Sequence, residues 1–118
     1  MNLEQIRAHN ALTATQNPDR RLRGEYVKKI PAMIIQNGLL GAIAFALGKK
    51  DNDYKNIFSA VLTHLSSDQI RLNLETQPEA LEVFLEALAG ESSAVLRAIT
   101  TETLAYLNYL RRFVAKEE

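Results

Sequence analysis

The sequence contains no cysteine, and this absence excludes several kinds of chemistry. A chain without thiols forms no disulfide, binds no zinc through thiolates and offers no cysteine nucleophile. The opening residues, MNLEQIRAHNA, also lack the apolar segment of a secretory signal, so we expect a cytoplasmic protein. With 118 residues the chain has the length of one domain, residues 1–118, and can bury a core without covalent cross-links.

Net charge is also absent, but the two parts of the chain differ in sign. Residues 1–65 contain nine Lys or Arg and five Asp or Glu, whereas residues 66–118 contain five and nine. Such a chain can bind a polyanion on one face and a basic neighbour on another. Two solvated faces without any partner are the simpler interpretation, and composition leaves both open.

Period-two alternation, the pattern of a half-buried strand, is missing as well, and every segment fits a helix. Asn2 is suited to cap a first helix that ends near Thr15, before the helix-breaking sequence NPD. A second helical segment is expected from about Asp19 to Ile30. Pro31 then either opens a third helix in its first turn or kinks a continuous one.

Apolar residues at steps of three and four predict three more helices and their inward faces. Asp53 is suited to cap one of them, Pro78 opens the next, and Ser92 or Ser93 caps the last. Gly90 is expected to end the second of the three in a left-handed conformation. The inward series are Tyr54, Ile57, Phe58, Val61, Leu62 and Leu65; Leu81, Phe84, Leu85 and Leu88; and Leu96, Ile99, Thr103, Leu107, Leu110 and Val114. These elements predict an all-α protein, a compact bundle of five to six helices.

The stretch KKIPAMIIQNGLLGAIAFALGKK carries no charge between its two lysine pairs. As one straight helix, residues 30–48 would be ~28 Å long, about the thickness of a bilayer's hydrocarbon core. In lipid, however, Gln36 and Asn37 would lack hydrogen-bond partners, and the one-sided apolar faces of the other helices need a packing partner. We therefore predict a central apolar helix of the bundle and no membrane contact, with Asn37–Gly38 as a candidate bend.

Motifs for catalysis are missing too: there is no phosphate-binding glycine loop and no H-E-x-x-H or G-x-S-x-G sequence. His9 and His64 are both expected at the surface. Nothing predicts an enzyme, a cofactor, a metal site or a small-molecule substrate. Four glutamates at helical spacing share a helix whose leucines point inward, so they are expected to face solvent or a partner subunit: Glu75, Glu79, Glu82 and Glu86.

Lysine and arginine, in contrast, are concentrated in a few clusters. The main candidates for phosphate contact are Arg20, Arg21, Lys28, Lys29, Lys49 and Lys50, and the secondary candidates are Arg111 and Arg112. Because the lysine pairs flank the apolar helix, they fit an extended phosphate track ~30 Å long better than one compact patch. Tyr106, Tyr109 and Phe113 fall at helical spacing, which is more typical of a core than of a stacking surface. The residues alone leave open a protein-only helical adaptor and a nucleic-acid-binding subunit.

Two stretches resemble the paired signatures of one family. The first contains Ile30–Pro31, Ile34, Asn37–Gly38–Leu39, Ala44–Phe45 and Lys49. The second contains Thr100, Glu102, Leu107, Tyr109–Leu110 and Arg112–Phe113. Together with an opening Gln-Ile-Arg-Ala, these motifs cover about half of the chain. They resemble the small α-helical subunit of the type III-B CRISPR RNA-targeting effector, the Cmr complex.

The resemblance implies a non-catalytic subunit in antiviral defence. Several copies would stack head to tail along the complex and line the channel for the guide–target duplex. The implied partners are other Cmr subunits, further copies of the chain, the guide RNA and the target RNA. Base pairing would supply the sequence choice while the protein contacts phosphates. A protein-only adaptor and the small subunit of the related type III-A complex are the alternatives.

Overall fold

The protein folds into helices, and the computed structural model describes residues 1–67, 70 and 80–117. The helices are α1 (Leu3–Thr15), α2 (Gly24–Val27), α3 (Ile30–Leu47), α4 (Asp53–Leu65), α5 (Leu81–Ala89) and α6 (Ser93–Glu117). The described ranges contain six helices and no strand, which confirms the prediction of an all-α bundle. The predicted helix start at Pro78 lies outside the described residues.

The N-terminus of α1 follows the sequence prediction. The Asn2 side chain accepts a hydrogen bond from the Gln5 amide, and the Gln5 side chain accepts one from the Asn2 amide, both at 2.9 Å. This capping box satisfies two amides that the first turn leaves without a helical partner. The helix ends at Thr15, as predicted.

The second helical segment begins later than predicted. The Asn17 side chain accepts a hydrogen bond from the Asp19 amide at 2.9 Å, which closes a turn, and Leu22 is buried with 9% exposure. These two features hold the chain in an irregular path, so α2 starts at Gly24 and the predicted start at Asp19 is wrong. We call residues 20–23 the arginine loop.

Helix α3 is bent at Gly38, where φ is 78° and ψ is 164°. Only glycine adopts this conformation readily, so the predicted bend at Asn37–Gly38 is confirmed. Pro31 lies in the first turn of α3 and therefore opens a new helix rather than kinking a continuous one. By length and composition α3 could cross a membrane, but each of its arms is only roughly 12–14 Å long.

The apolar stretch is buried on one face only. Ile34, Leu39 and Ile43 lie in the core, whereas Ile35 is 75% exposed and Phe45 is 43% exposed. The expectation of an apolar helix enclosed by its neighbours thus holds for one face of α3. Helix α4 is enclosed more completely, because all of its predicted inward residues are buried: Tyr54, Ile57, Phe58, Val61, Leu62 and Leu65.

The inward faces of the last two helices agree with the predicted spacing. In α6 the buried residues of the predicted series are Ile99, Thr103, Leu107, Leu110 and Val114, and in α5 they are Leu81, Phe84 and Leu88. Tyr106 is also buried, and Tyr109 and Phe113 pack against the core, so the aromatic series of α6 is a core feature. The prediction of a left-handed conformation at Gly90 is wrong, because its φ is −93°. The Gly90 amide donates a hydrogen bond to the Ala87 carbonyl in a right-handed final turn.

Candidate nucleic-acid interface

All eight predicted phosphate-contact residues are exposed: Arg20, Arg21, Lys28, Lys29, Lys49, Lys50, Arg111 and Arg112. In the part of the chain that the structure describes, no ion pair involves any of them. An exposed cation without a carboxylate partner is free to bind a phosphate oxygen and to release a counterion. The exposure required by the prediction is therefore present at each position.

A row of three aromatic rings joins the two lysine pairs. The Lys29 ammonium lies 5.4 Å from the Tyr26 ring centroid, and the Lys49 ammonium lies 4.8 Å from that of Phe45. Tyr54 contacts both rings edge to face, at centroid distances of 5.1 Å to Tyr26 and 5.4 Å to Phe45. Four steps of about 5 Å thus connect lysines that a straight helix would hold at its two ends.

The arginine loop attaches to the same region of α4 as this aromatic row. The Asn56 side chain donates a hydrogen bond to the Arg21 carbonyl at 3.3 Å, and Leu22 anchors the loop in the core. Asn56 follows Tyr54 by two residues in α4. Because two residues turn a helix by about 200°, these two side chains project from different faces of α4. The first turns of α4 therefore hold the arginine loop on one face and the lysine-flanked aromatic row on another, and we call these together the basic surface.

Carboxylates also lie near the basic surface. The pKa of Tyr26 is raised, first by the negative charge of Asp53, then by burial and by Glu25 and Asp51, while Arg23 opposes the shift. The surface is therefore of mixed sign, although its cations are more numerous. A polyanion would have to approach on the side of the lysines and arginines.

The register of α1 against α6 places the remaining arginines. Arg7 pairs with Glu102, and the Tyr106 hydroxyl lies 3.5 Å from the Asn10 carbonyl, so the two helices run parallel. Continued in this register, the end of α1 is level with Arg111–Arg112. The exposed arginines of α6 thus lie at the end of the bundle where the arginine loop begins.

The predicted acidic stripe is described only in part. Glu82 and Glu86 are exposed on α5, one turn apart, whereas Glu75 and Glu79 lie outside the described residues. A carboxylate pair at this spacing shares one helix face. A contact between this face and a neighbouring subunit remains a prediction.

A buried polar network links α1, α4 and α6. Glu102 accepts hydrogen bonds from Arg7 Nε and Nη2, both at 2.8 Å, and from His64 Nε2 at 2.9 Å. The Asn10 amide nitrogen lies 2.9 Å from His64 Nδ1. Because an amide nitrogen donates, Nδ1 accepts and Nε2 carries the proton shared with Glu102. We call these four residues the Glu102 network.

Protonation in the Glu102 network follows from burial and pairing. Burial lowers the pKa of His64 and outweighs the opposing hydrogen bond from Glu102. Burial by itself raises the pKa of Glu102, but the hydrogen bonds from Arg7 and His64 leave it below its ordinary value. A neutral histidine therefore lies beside an ionised carboxylate whose charge Arg7 balances. The His64 ring also stacks on Tyr106, with centroids 4.1 Å apart.

The expectation of surface histidines is confirmed for His9 and wrong for His64, which is 1% exposed. The helical spacing indicates that His64 is buried, because it follows Val61 by three residues and Ile57 by seven, and both of these point inward. No local pattern could have identified Arg7 as its neighbour in space. Both carboxylate oxygens of Glu102 and both ring nitrogens of His64 are engaged in hydrogen bonds, which is the arrangement of a structural clamp. Among the described residues, no three His, Cys, Asp or Glu side chains are grouped as metal ligands would be.

Comparison with known protein families agrees with the resemblance seen in the sequence motifs. A family model described as CRISPR-associated protein (Cas_Cmr5) matches residues 3–117, which is nearly the whole chain. No curated protein and no solved structure matches it. The matched range includes α3 with its Asn37–Gly38 bend, the Glu102 network and the basic surface.

Proposed function

Because the chain belongs to the Cmr5 family of CRISPR-associated proteins, the small subunits of the type III-B Cmr complex, we propose that it is a non-catalytic subunit that contacts RNA. Family membership implies association with other Cmr subunits. In this proposal, copies of the chain stack along the complex in the cytoplasm and contact the guide–target duplex during antiviral defence. Base pairing supplies the sequence choice, and the protein binds phosphates.

The observation that carries this proposal is the attachment of two groups of exposed cations to the first turns of α4. The aromatic row connects Lys29 with Lys49, and the Asn56 hydrogen bond holds the arginine loop on the same helix. A fixed backbone holds these cations at set spacings, and only their side chains lose conformational freedom when they bind a phosphate backbone. Each phosphate that they neutralise releases counterions, which gives an affinity that depends on salt and not on sequence.

The test is the salt dependence of target-RNA binding by the assembled complex. Replacement of Arg20, Arg21, Lys28 and Lys29 by Gln should reduce the slope of log affinity against log salt by roughly one unit for each phosphate that is no longer neutralised. Arg97→Gln, at an exposed cation of α6 remote in sequence from the basic surface, serves as the control. An unchanged slope in the quadruple variant would show that these four residues do not contact RNA phosphates.

The absence of catalysis in the proposal is tested separately. Both ring nitrogens of His64 are engaged within the Glu102 network, which leaves it no free base, and His9 stands exposed on α1. The purified protein should leave RNA intact in the presence of Mg²⁺ or Mn²⁺. Cleavage that disappears on His9→Gln or His64→Gln would instead support a nuclease.

A protein-only adaptor is the second candidate, because α3 exposes apolar side chains. Ile35 is 75% exposed and Phe45 is 43% exposed, and such residues are common at contacts between subunits. Crosslinking within the assembled complex separates the two functions. An adaptor would crosslink to neighbouring subunits through these residues and would give no crosslink between the basic surface and RNA.

A further inference from the structure

A cavity of about 610 Å³ opens between α1, the arginine loop and α4. Its size falls within the range of sites for small organic groups. The floor is the stacked pair of His64 and Tyr106, both 1% exposed. Since the hydrogen bonds of His64 are satisfied within the Glu102 network, this floor is neutral and fixed. The cavity is thus a preformed feature of the described residues.

The walls of the cavity combine apolar surfaces with polar edges. Ala14, Leu22 and Ala60 contribute methyl groups to the lining. The hydroxyls of Thr13 and Thr63 donate to the carbonyls of His9 and Ser59 at 3.0 Å, so their oxygen lone pairs remain able to accept a hydrogen bond. Apolar walls with a few acceptors at the edge suit a flat ring that carries donors.

The rim of the cavity carries a cation. Arg20 lines the cavity, is exposed, and forms no ion pair with any residue that the structure describes. Arg21 and Arg23 follow in the arginine loop and are exposed as well. A guanidinium at the mouth, followed by two more along the chain, suits an anion that repeats along a polymer.

We propose that this cavity binds one unpaired nucleotide of an RNA strand, with the base between the apolar walls and its phosphate on Arg20. The inference rests on the proposed RNA contact and specifies a site for it. A base can enter only when it is unpaired, because its edges and faces are otherwise occupied in the duplex. The repeat of exposed arginines favours a phosphodiester chain over a peptide, whose backbone carries no charge.

The first experiment follows the methyl groups of the full-length protein by NMR during titration with AMP, adenosine or inorganic phosphate. AMP and adenosine should shift the methyl signals of Ala14, Ala60 and Leu22 saturably, and AMP should bind more tightly. Phosphate alone should leave these methyl signals in place. Shifts by phosphate equal to those by AMP, or no shift of these methyls with AMP, would overturn the proposal.

Two substitutions test the phosphate contact and the base-binding cavity separately. Arg20→Gln should weaken AMP about tenfold and leave adenosine unchanged, since it removes one charge-assisted hydrogen bond to phosphate. Thr63→Phe should fill the cavity from an exposed helix position and abolish the response to both. Thr101→Phe, at an exposed position of α6, is the matched control. If Thr63→Phe lowers the unfolding temperature, Thr13→Phe fills the cavity from the opposite wall.

The assembled complex separates failure of this site from failure of the proposed function. Thr63→Phe changes no charge, so it should lower target-RNA affinity without changing the slope against salt. If the basic-surface variant alone alters RNA binding, the RNA contact stands and the cavity proposal falls. If neither variant alters binding, both proposals fall.

Discussion

The Glu102 network and the basic surface use the same kinds of charged side chain in opposite ways. In the network, one carboxylate collects donors from two other helices, and Glu102 is 7% exposed. On the basic surface, the lysines and arginines are exposed and have no ion-pair partner in the described ranges. Charges that hold a fold together satisfy one another, whereas charges kept for a partner remain unsatisfied. The comparison predicts where a substitution affects stability and where it affects binding.

The largest effect on stability is expected at the centre of the network. Glu102→Leu leaves Arg7 and the His64 N–H without their acceptor inside the bundle, which should cost about 3–5 kcal/mol of unfolding free energy. Urea denaturation measures the loss. Glu82→Leu, at an exposed glutamate of α5, is the control and should change stability by about 0.5 kcal/mol or less. A loss below that of the control would show that the network is not a clamp.

The next effect is a dependence of stability on pH that only the network should show. The pKa of His64 is lowered from its ordinary value of 6.5. As pH falls below 6.5, His64 therefore binds a proton in the unfolded chain before it does so in the folded chain. The unfolding free energy should therefore fall as pH decreases through this window, by about 1.4 kcal/mol for each unit of lowering. Glu102, with its pKa lowered from 4.5, adds a further loss below that pH.

Denaturation at pH 8, 6 and 5 checks the histidine effect. His64→Gln should flatten the profile between pH 8 and pH 5, while the exposed His9→Gln should leave it as in the original chain. If His9→Gln flattened the profile, the pH dependence of stability would come from His9 and not from His64.

A smaller effect is expected at the bend that lets the lysine pairs converge. Gly38→Ala should cost about 1–3 kcal/mol, because alanine rarely adopts the backbone conformation found there. A Cβ at this position would meet no atom within 4 Å, so the cost is conformational rather than steric. Gly90→Ala is the control, since its φ is negative and its nearest neighbouring atom would lie at 3.7 Å. Thermal unfolding compares the two variants, and equal effects would contradict the role of the bend.

The smallest effect on stability is expected on the basic surface itself. Lys49→Gln with Lys50→Gln should change the unfolding free energy by about 1 kcal/mol or less, mainly because an ammonium no longer lies over the Phe45 ring. The same variant should reduce the salt dependence of RNA binding by the assembled complex. Destabilisation as large as that of Glu102→Leu would abolish the distinction between the two regions.

The sequence predicts local features of this fold well. The capping pattern at Asn2, the break at NPD and the inward series of α4 and α6 depend on residues within a few turns of one another, and all are confirmed. The exposure of the eight cations could be predicted in the same way, because long charged side chains rarely lie buried without a partner.

The arrangement of the site could not be predicted to the same extent, because it depends on distant contacts. Arg7 and Glu102 meet across nearly the full length of the chain, and the aromatic row joins side chains from α2, α3 and α4. The late start of α2 results from the burial of Leu22, which no propensity reveals. The one-sided exposure of α3 depends on which helices cover it, and an evenly apolar sequence carries no information about that choice.

The parallel packing of α1 against α6 also has a consequence for synthesis of the chain. The ribosome releases α1 first and α6 last, and at about 5–20 residues per second several seconds separate them. During that interval Arg7 has no acceptor and the apolar face of α1 has no cover from its main neighbour. Native contacts over such a sequence distance slow folding. The bundle can therefore be completed only after the C-terminal helix has been synthesised. A transcript that ends before Glu102 would yield a chain in which α1 lacks its packing partner.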